Sequence, residues 1–110
     1  MSTQPIQILK SVDDLGAVTE ASQGGPVLVF KHSLTCPISA RAQEQFVGVG
    51  GVPRYALAVQ YARDVSEAVA ETFGVEHASP QLLVIEKGEV TLELTHSGIT
   101  GEALEGHLSR

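Results

Sequence analysis

The fold class that this chain predicts is an α/β sandwich, a central mixed sheet flanked by helices, and three observations predict it. Short apolar runs rich in β-branched residues alternate with longer segments whose apolar residues recur at helical spacing. The last third breaks that alternation with two strand-like runs joined by a tight turn. The 110 residues, 43% of them hydrophobic, suffice for one core, and no repeat, low-complexity tract or linker divides them, so residues 1–110 read as one domain.

In chain order, Ile6 to Leu9 is a short strand. A helix starts at Ser11, with Asp14 in the acidic capping position and Val12, Leu15 and Val18 as its apolar stripe; Gly24-Gly25-Pro26 ends it. Val27-Leu28-Val29-Phe30 is continuously apolar, which suits a central strand buried on both faces. Pro37 fits the first turn of the next helix, where its missing N–H costs nothing, and that helix runs to about Val47. Gly48, Gly50, Gly51 and Pro53 interrupt the chain before a third strand from Tyr55 to Val59. Asp64 and Glu67 read as a capping pair for a helix with Val65, Val69 and Phe73 on its buried stripe and Gly74 at its end.

Leu82 to Ile85 and Val90 to Leu94 then form a hairpin through Lys87-Gly88-Glu89. Val90, Leu92 and Leu94 alternate with Thr91, Glu93 and Thr95, which predicts one wet face and an edge position. A last helix follows Thr100, with Leu104 and Leu108 turned inward. The order βαβαβαββα, parallel crossovers first and a hairpin last, is that of the thioredoxin-like fold.

Charge and cysteine count narrow the function. Seven Lys and Arg against thirteen Asp and Glu leave a net charge of −6, so nucleic acid is not an expected partner. The apolar runs are too short to span a bilayer, and the first residues lack the basic patch and apolar core of a signal peptide. No membrane role and a cytoplasmic location are therefore expected. With Cys36 as the one cysteine, no internal disulfide or four-thiolate metal site is available, and no metal is expected. Thiol chemistry must involve a sulfur from another molecule.

Cys36 is expected at the start of a helix just beyond a buried strand. Unpaired N–H groups and the helix dipole there stabilise a thiolate, lowering its pKa below the free value of about 8.5. That position at the rim of the sheet argues for a functional cysteine over a small buried hydrophobe. Thr35 and Pro37 flank it. Ser39, three residues on, stands where a Cys-x-x-Cys motif would carry its resolving thiol, and its hydroxyl is expected to point back at the sulfur. Lys31 and His32 are weaker candidates for local positive charge. Ser79-Pro80 opens a strand, and in a thioredoxin fold such a proline is usually cis and faces the cysteine, leaving the Ser79 backbone to pair with an extended substrate. His77 and His96 are more readily satisfied imidazoles than bases.

These residues resemble the monothiol bacilliredoxin family, thioredoxin-fold proteins of bacteria whose low-molecular-weight thiol is bacillithiol. Phe30-Lys31-His32-Ser33 leading into Thr35-Cys36-Pro37-Ile38-Ser39 matches the family's active-site block, His77-x-Ser79-Pro80-Gln81 its cis-proline block, and Lys87-Gly88 and His96-x-x-Ile99-Thr100 its C-terminal part. The resemblance implies that Cys36 takes bacillithiol from a protein mixed disulfide through a Cys36-S-S-bacillithiol intermediate. A second bacillithiol, or a bacillithiol disulfide reductase system, then restores the thiol. Expected partners are S-bacillithiolated client proteins and bacillithiol as co-substrate, with no bound cofactor. Thr35, Pro37 and Ser39 are the expected thiolate-stabilising residues, and Lys31, His32, Ser79, Pro80 and Gln81 the expected substrate-binding ones. Ser97 departs from the family, which carries a bulky aromatic there.

Two other readings stand beside this one. A thioredoxin-fold stress adaptor or sensor would be modified at its cysteine once, without turnover. A monothiol glutaredoxin-type iron–sulfur carrier ranks lower, because that family places Gly after its cysteine where this chain has Pro37.

Overall fold

A computed structural model describes residues 5–33 and 37–109. Its elements are β1 (Ile6–Ile8), α1 (Asp14–Ser22), β2 (Val27–His32), α2 (Pro37–Val47), β3 (Arg54–Ala58), α3 (Arg63–Phe73), β4 (Gln81–Glu86), β5 (Glu89–Thr95), a 3-10 turn (His96–Gly98) and α4 (Gly101–Leu108). The five strands form one mixed sheet in the order β1-β3-β2-β4-β5. β3 runs parallel to both β1 and β2, β4 runs antiparallel to β2, and the β4–β5 hairpin closes the far edge. This is the expected α/β architecture, and no helix among the described residues is long and apolar enough to cross a membrane.

The continuous apolar runs are explained by burial on both faces of the sheet. Val27, Val29, Tyr55, Leu57, Leu83 and Ile85 face one way, against Leu15 and Val18 of α1 and Val65 and Val69 of α3. Leu28, Phe30, Ala56, Leu82 and Val84 face the other, against Ala42 and Phe46 of α2 and Leu104 of α4. The period-2 geometry of a strand sorts successive side chains into these two cores.

Local signals set most boundaries. The Asp14 carboxylate accepts from the Lys10 and Ser11 N–H groups at 2.8 and 3.1 Å, which is the capping role expected of it. Those contacts hold its pKa below the ordinary carboxylate value. The Thr100 hydroxyl accepts from the Ala103 N–H at 3.1 Å and starts α4. Gly74 ends α3 with φ 67, a left-handed residue where side-chain-bearing residues are disfavoured. Lys87 (φ 53) and Gly88 (φ 77) give the two positive φ values of a type I′ hairpin turn. The Lys87 and Gly88 N–H groups donate to the Ser22 carbonyl and hydroxyl at 2.8 and 2.9 Å, tying that turn to α1.

Four expectations are corrected. A short 3-10-type turn over Ser11 to Asp13 precedes α1, and Val12, expected on the buried stripe, is exposed there. Asp64 and Glu67 do not cap α3, because the helix begins one residue before Asp64 and Ala62 holds the cap position without a side-chain bond. In β5, Val84 pairs with Leu92 and Ile85 with Val90, so Thr91 is bulged out of the ladder. That extra residue turns Val90 into the α1/α3 core while Leu92 and Leu94 stay in the α2/α4 core, where simple alternation put all three on one face. Finally, the 3-10 turn at His96–Gly98, with His96 at φ 52, was not expected.

Candidate functional site

β2 and α2 deliver the segment between them to the C-terminal end of the central strands. Leu34, Thr35 and Cys36 lie outside the described residues, so the expected helix-cap position of the cysteine falls outside them too. What holds the two ends of that segment is clear. The Ser33 N–H donates to the Ser39 hydroxyl at 2.9 Å, which clasps the end of β2 to the first turn of α2. Gln60 Nε2 donates to the Ser33 hydroxyl at 2.7 Å, and the Val59 N–H to the His32 carbonyl at 2.9 Å. Ser39 is buried, and the position a resolving thiol would hold is occupied by an oxygen that accepts a backbone bond. Pro37 is the first residue of α2, as expected, and the 11-residue helix leaves the N–H groups of its first turn without intrahelical partners.

The Ser79–Pro80 peptide is cis, as expected. Pro80 is buried beside the start of the β4–β5 ladder, its carbonyl accepting from the His96 N–H at 3.1 Å. This bond brings the 3-10 turn alongside the proline. The Ser79 hydroxyl is buried with no hydrogen-bond partner among the described residues.

Lys31 and Gln81 occupy neighbouring strands in register, both fully covered. Gln81 Nε2 donates to the Glu76 carbonyl at 2.9 Å and to the Glu93 carboxylate at 2.7 Å. Lys31 Nζ lies 3.3 Å from His77 Nδ1, which is also 3.1 Å from the Ser66 hydroxyl. An ammonium has only donors, so Nδ1 accepts from it and the neutral ring carries its proton on Nε2. Desolvation pulls the Lys31 pKa down to about 8, against the favourable charge of Glu93. Desolvation, and then the Lys31 charge, also hold His77 below its usual value.

Lys31 and Gln81, expected to bind substrate, are thus side chains covered in the fold and hydrogen-bonded to its own groups. The side-chain nitrogen of each is engaged by a neighbour, Lys31 by His77 and Gln81 by Glu76 and Glu93, residues that are themselves exposed. His32 stacks on Phe30 with ring centroids 5.4 Å apart, and burial lowers its pKa, so it is neutral near pH 7 rather than a source of positive charge.

Two concavities lie near this end of the sheet. One, about 480 Å³, lies between α2 and the 3-10 turn and is lined by Pro37, Ile38, Arg41, Gln45, His96 and Ser97 among others. The other, about 340 Å³, lies by the start of α3, between Gln60, Arg63, Glu67 and His77. Ser97, where an aromatic was expected, is among the lining residues of the first groove.

Arg41, Ser66 and Gln60 were not singled out by sequence reasoning. Arg41 carried a usable signal, since it lies four residues after Pro37 and so on the same helix face. Ser66 and Gln60 carried none, because their partners are distant in sequence.

Comparison with known proteins agrees with this geometry. The family profile described as Monothiol bacilliredoxin BrxC matches residues 7–104. A solved structure described as an oxidoreductase with a thioredoxin fold is 36% identical, with a TM-score of 0.82 over 92% of this chain and 91% of the other. Thioredoxin of Schistosoma mansoni (17% identity, TM-score 0.74, 96% and 97% coverage) is similar in fold. So is thioredoxin of Fasciola hepatica (15%, 0.69, 96% and 98%).

Proposed function

This chain belongs to the monothiol bacilliredoxin family, and from that membership we propose that it removes bacillithiol from protein mixed disulfides by monothiol exchange at Cys36. The family and the thioredoxin-like oxidoreductase fold support thiol–disulfide redox chemistry. The observation that carries the finer reading is the pairing of one cysteine with Ser39 at the position of a resolving thiol. A chain built this way has no second thiol with which to close its own disulfide.

In the proposed cycle the Cys36 thiolate attacks the bacillithiol sulfur of the client mixed disulfide. The S–S bond to the client breaks, the client leaves as a thiolate that takes up a proton, and Cys36-S-S-bacillithiol remains. A second bacillithiol, deprotonated, attacks the bacillithiol sulfur of this intermediate. Bacillithiol disulfide leaves, Cys36 returns to the thiolate, and a bacillithiol disulfide reductase system recycles the disulfide. Rate in such exchange follows the thiolate fraction and the access of the attacking sulfur. Pro37 and the α2 N-terminus support the first, with Thr35 as a further proposed contributor. Ser39 supports the geometry of the turn. His32, Ser79 and Pro80 are the proposed substrate-facing residues, and a cytoplasmic setting suits the reducing chemistry.

Mass spectrometry of the protein incubated with a bacillithiolated client, then with free bacillithiol, tests the proposal. The expected result is one adduct moving onto Cys36, the client thiol released, and free Cys36 recovered. An adduct that stays on Cys36 favours the sensor reading, and a client that keeps its adduct overturns exchange. Cys36→Ser is expected to abolish transfer while retaining the native circular dichroism spectrum.

A further inference from the structure

The groove between α2 and the 3-10 turn has a charge character that its location makes significant. It begins at Pro37, the residue after Cys36, and extends along α2 through Arg41 to Gln45. These three recur at i, i+4 and i+8, so they form one ridge, and Arg41 stands about 6 Å along the helix axis from Pro37. The opposite wall is His96 and Ser97, positioned by the His96 N–H bond to the Pro80 carbonyl. Gln45 Oε1 accepts from the Gly101 N–H at 2.8 Å, which fixes α2 against the start of α4.

Arg41 is exposed, forms no ion pair among the described residues, and shares the groove with no carboxylate. That is notable on a chain of net charge −6. The second concavity offers Arg63, but with Glu67 beside it. Lys31 is buried and turned toward His77. Arg41 is thus the cation that an anionic ligand tethered at residue 36 meets without a competing acid.

We infer that this groove seats the non-protein half of the mixed disulfide, a small thiol bearing carboxylates, and that Arg41 is its specificity-determining contact. The inference rests on the exchange reading and adds a location and a charge requirement to it. A guanidinium fork pairs with a carboxylate through two parallel N–H bonds, a geometry that a single ammonium does not reproduce.

The test uses the full chain, with Cys36 loaded as its mixed disulfide with bacillithiol or with 2-mercaptoethanol. Each is resolved by the same free thiol: the thiolate attacks the small-thiol sulfur, the symmetric disulfide leaves, and Cys36 thiolate is freed. For bacillithiol, Arg41→Glu is expected to raise the apparent KM at least ten-fold, Arg41→Lys to restore most of the loss, and the wild-type rate to fall with added salt. For 2-mercaptoethanol, which carries no carboxylate, Arg41→Glu is expected to change the rate less than two-fold. Equal losses with both thiols, or no loss with either, overturn the role of Arg41 while leaving the exchange reading intact. A wild-type protein that turns over 2-mercaptoethanol and not bacillithiol overturns both.

Discussion

At the scale of the residue, Lys31 is the most consequential side chain among those described. It is a lysine with no exposed surface, placed on the central strand five residues before Cys36. His77 contacts its ammonium, Glu93 of β5 acts on its charge, and Gln81 of β4 is its register partner, while Ser66 and Glu67 of α3 act on His77. A lysine whose pKa falls to about 8 in the fold, from 10.5, opposes folding while it is charged. Below pH 8 that cost is fully present, on the order of 3 kcal/mol, and it is relieved as pH rises toward 10.5 because the unfolded chain then holds more protons. Stability to urea is therefore expected to increase between pH 7 and pH 9. Lys31→Met is expected to be more stable than wild type at pH 7 and to lose that increase; a flat wild-type profile would count against the buried charge. Ser39 supplies a second residue-scale prediction. Ser39→Ala removes the bond that clasps the end of β2 to the first turn of α2, so a loss of about 1 kcal/mol is expected in chemical denaturation, with slower exchange at Cys36.

At the scale of the element, caps and turns decide where helices stop. Gly74→Ala at φ 67 meets no atom within 4 Å of the added carbon, so its expected cost is backbone strain alone, about 1–2 kcal/mol by thermal unfolding. Thr100→Ala removes the hydroxyl that caps α4 and is expected to cost about 1 kcal/mol. Since α4 flanks the groove through Gly101 and Gln45, the same substitution is expected to weaken bacillithiol turnover more than turnover of a neutral thiol.

Elements were legible where the signal is local. The α2 bounds, the Gly74 stop and the Thr100 start follow from proline, glycine and threonine acting within one turn of the chain. The face of Val90 was not legible, because the bulge at Thr91 is set by pairing with β4.

At the scale of the whole molecule, two cores share one sheet, and the buried apolar side chains of the central strands divide between them. Leu57, fully buried in the α1/α3 core, is expected to cost about 2–5 kcal/mol when replaced by alanine. His32 and His77 both lie below the usual histidine value of 6.5 because burial disfavours their charged forms. As pH falls through 6.5 the unfolded chain takes up these protons first, so stability is expected to fall in acid.

The sequence alone determined the strand and helix order and the thioredoxin-like architecture. It also identified the lone cysteine, the serine three residues on, and the proline opening β4. These are properties of hydrophobic period, turn chemistry and residue identity, all readable within a few positions. Only the tertiary structure decided that Lys31 and Gln81 are covered, that His77 joins Lys31 to Ser66, and that Arg41 lines the groove beyond Pro37. A polar residue near an active-site motif reads the same in one dimension whether it faces solvent or core. Which way it faces is settled by the strand's register with neighbours that are distant in sequence.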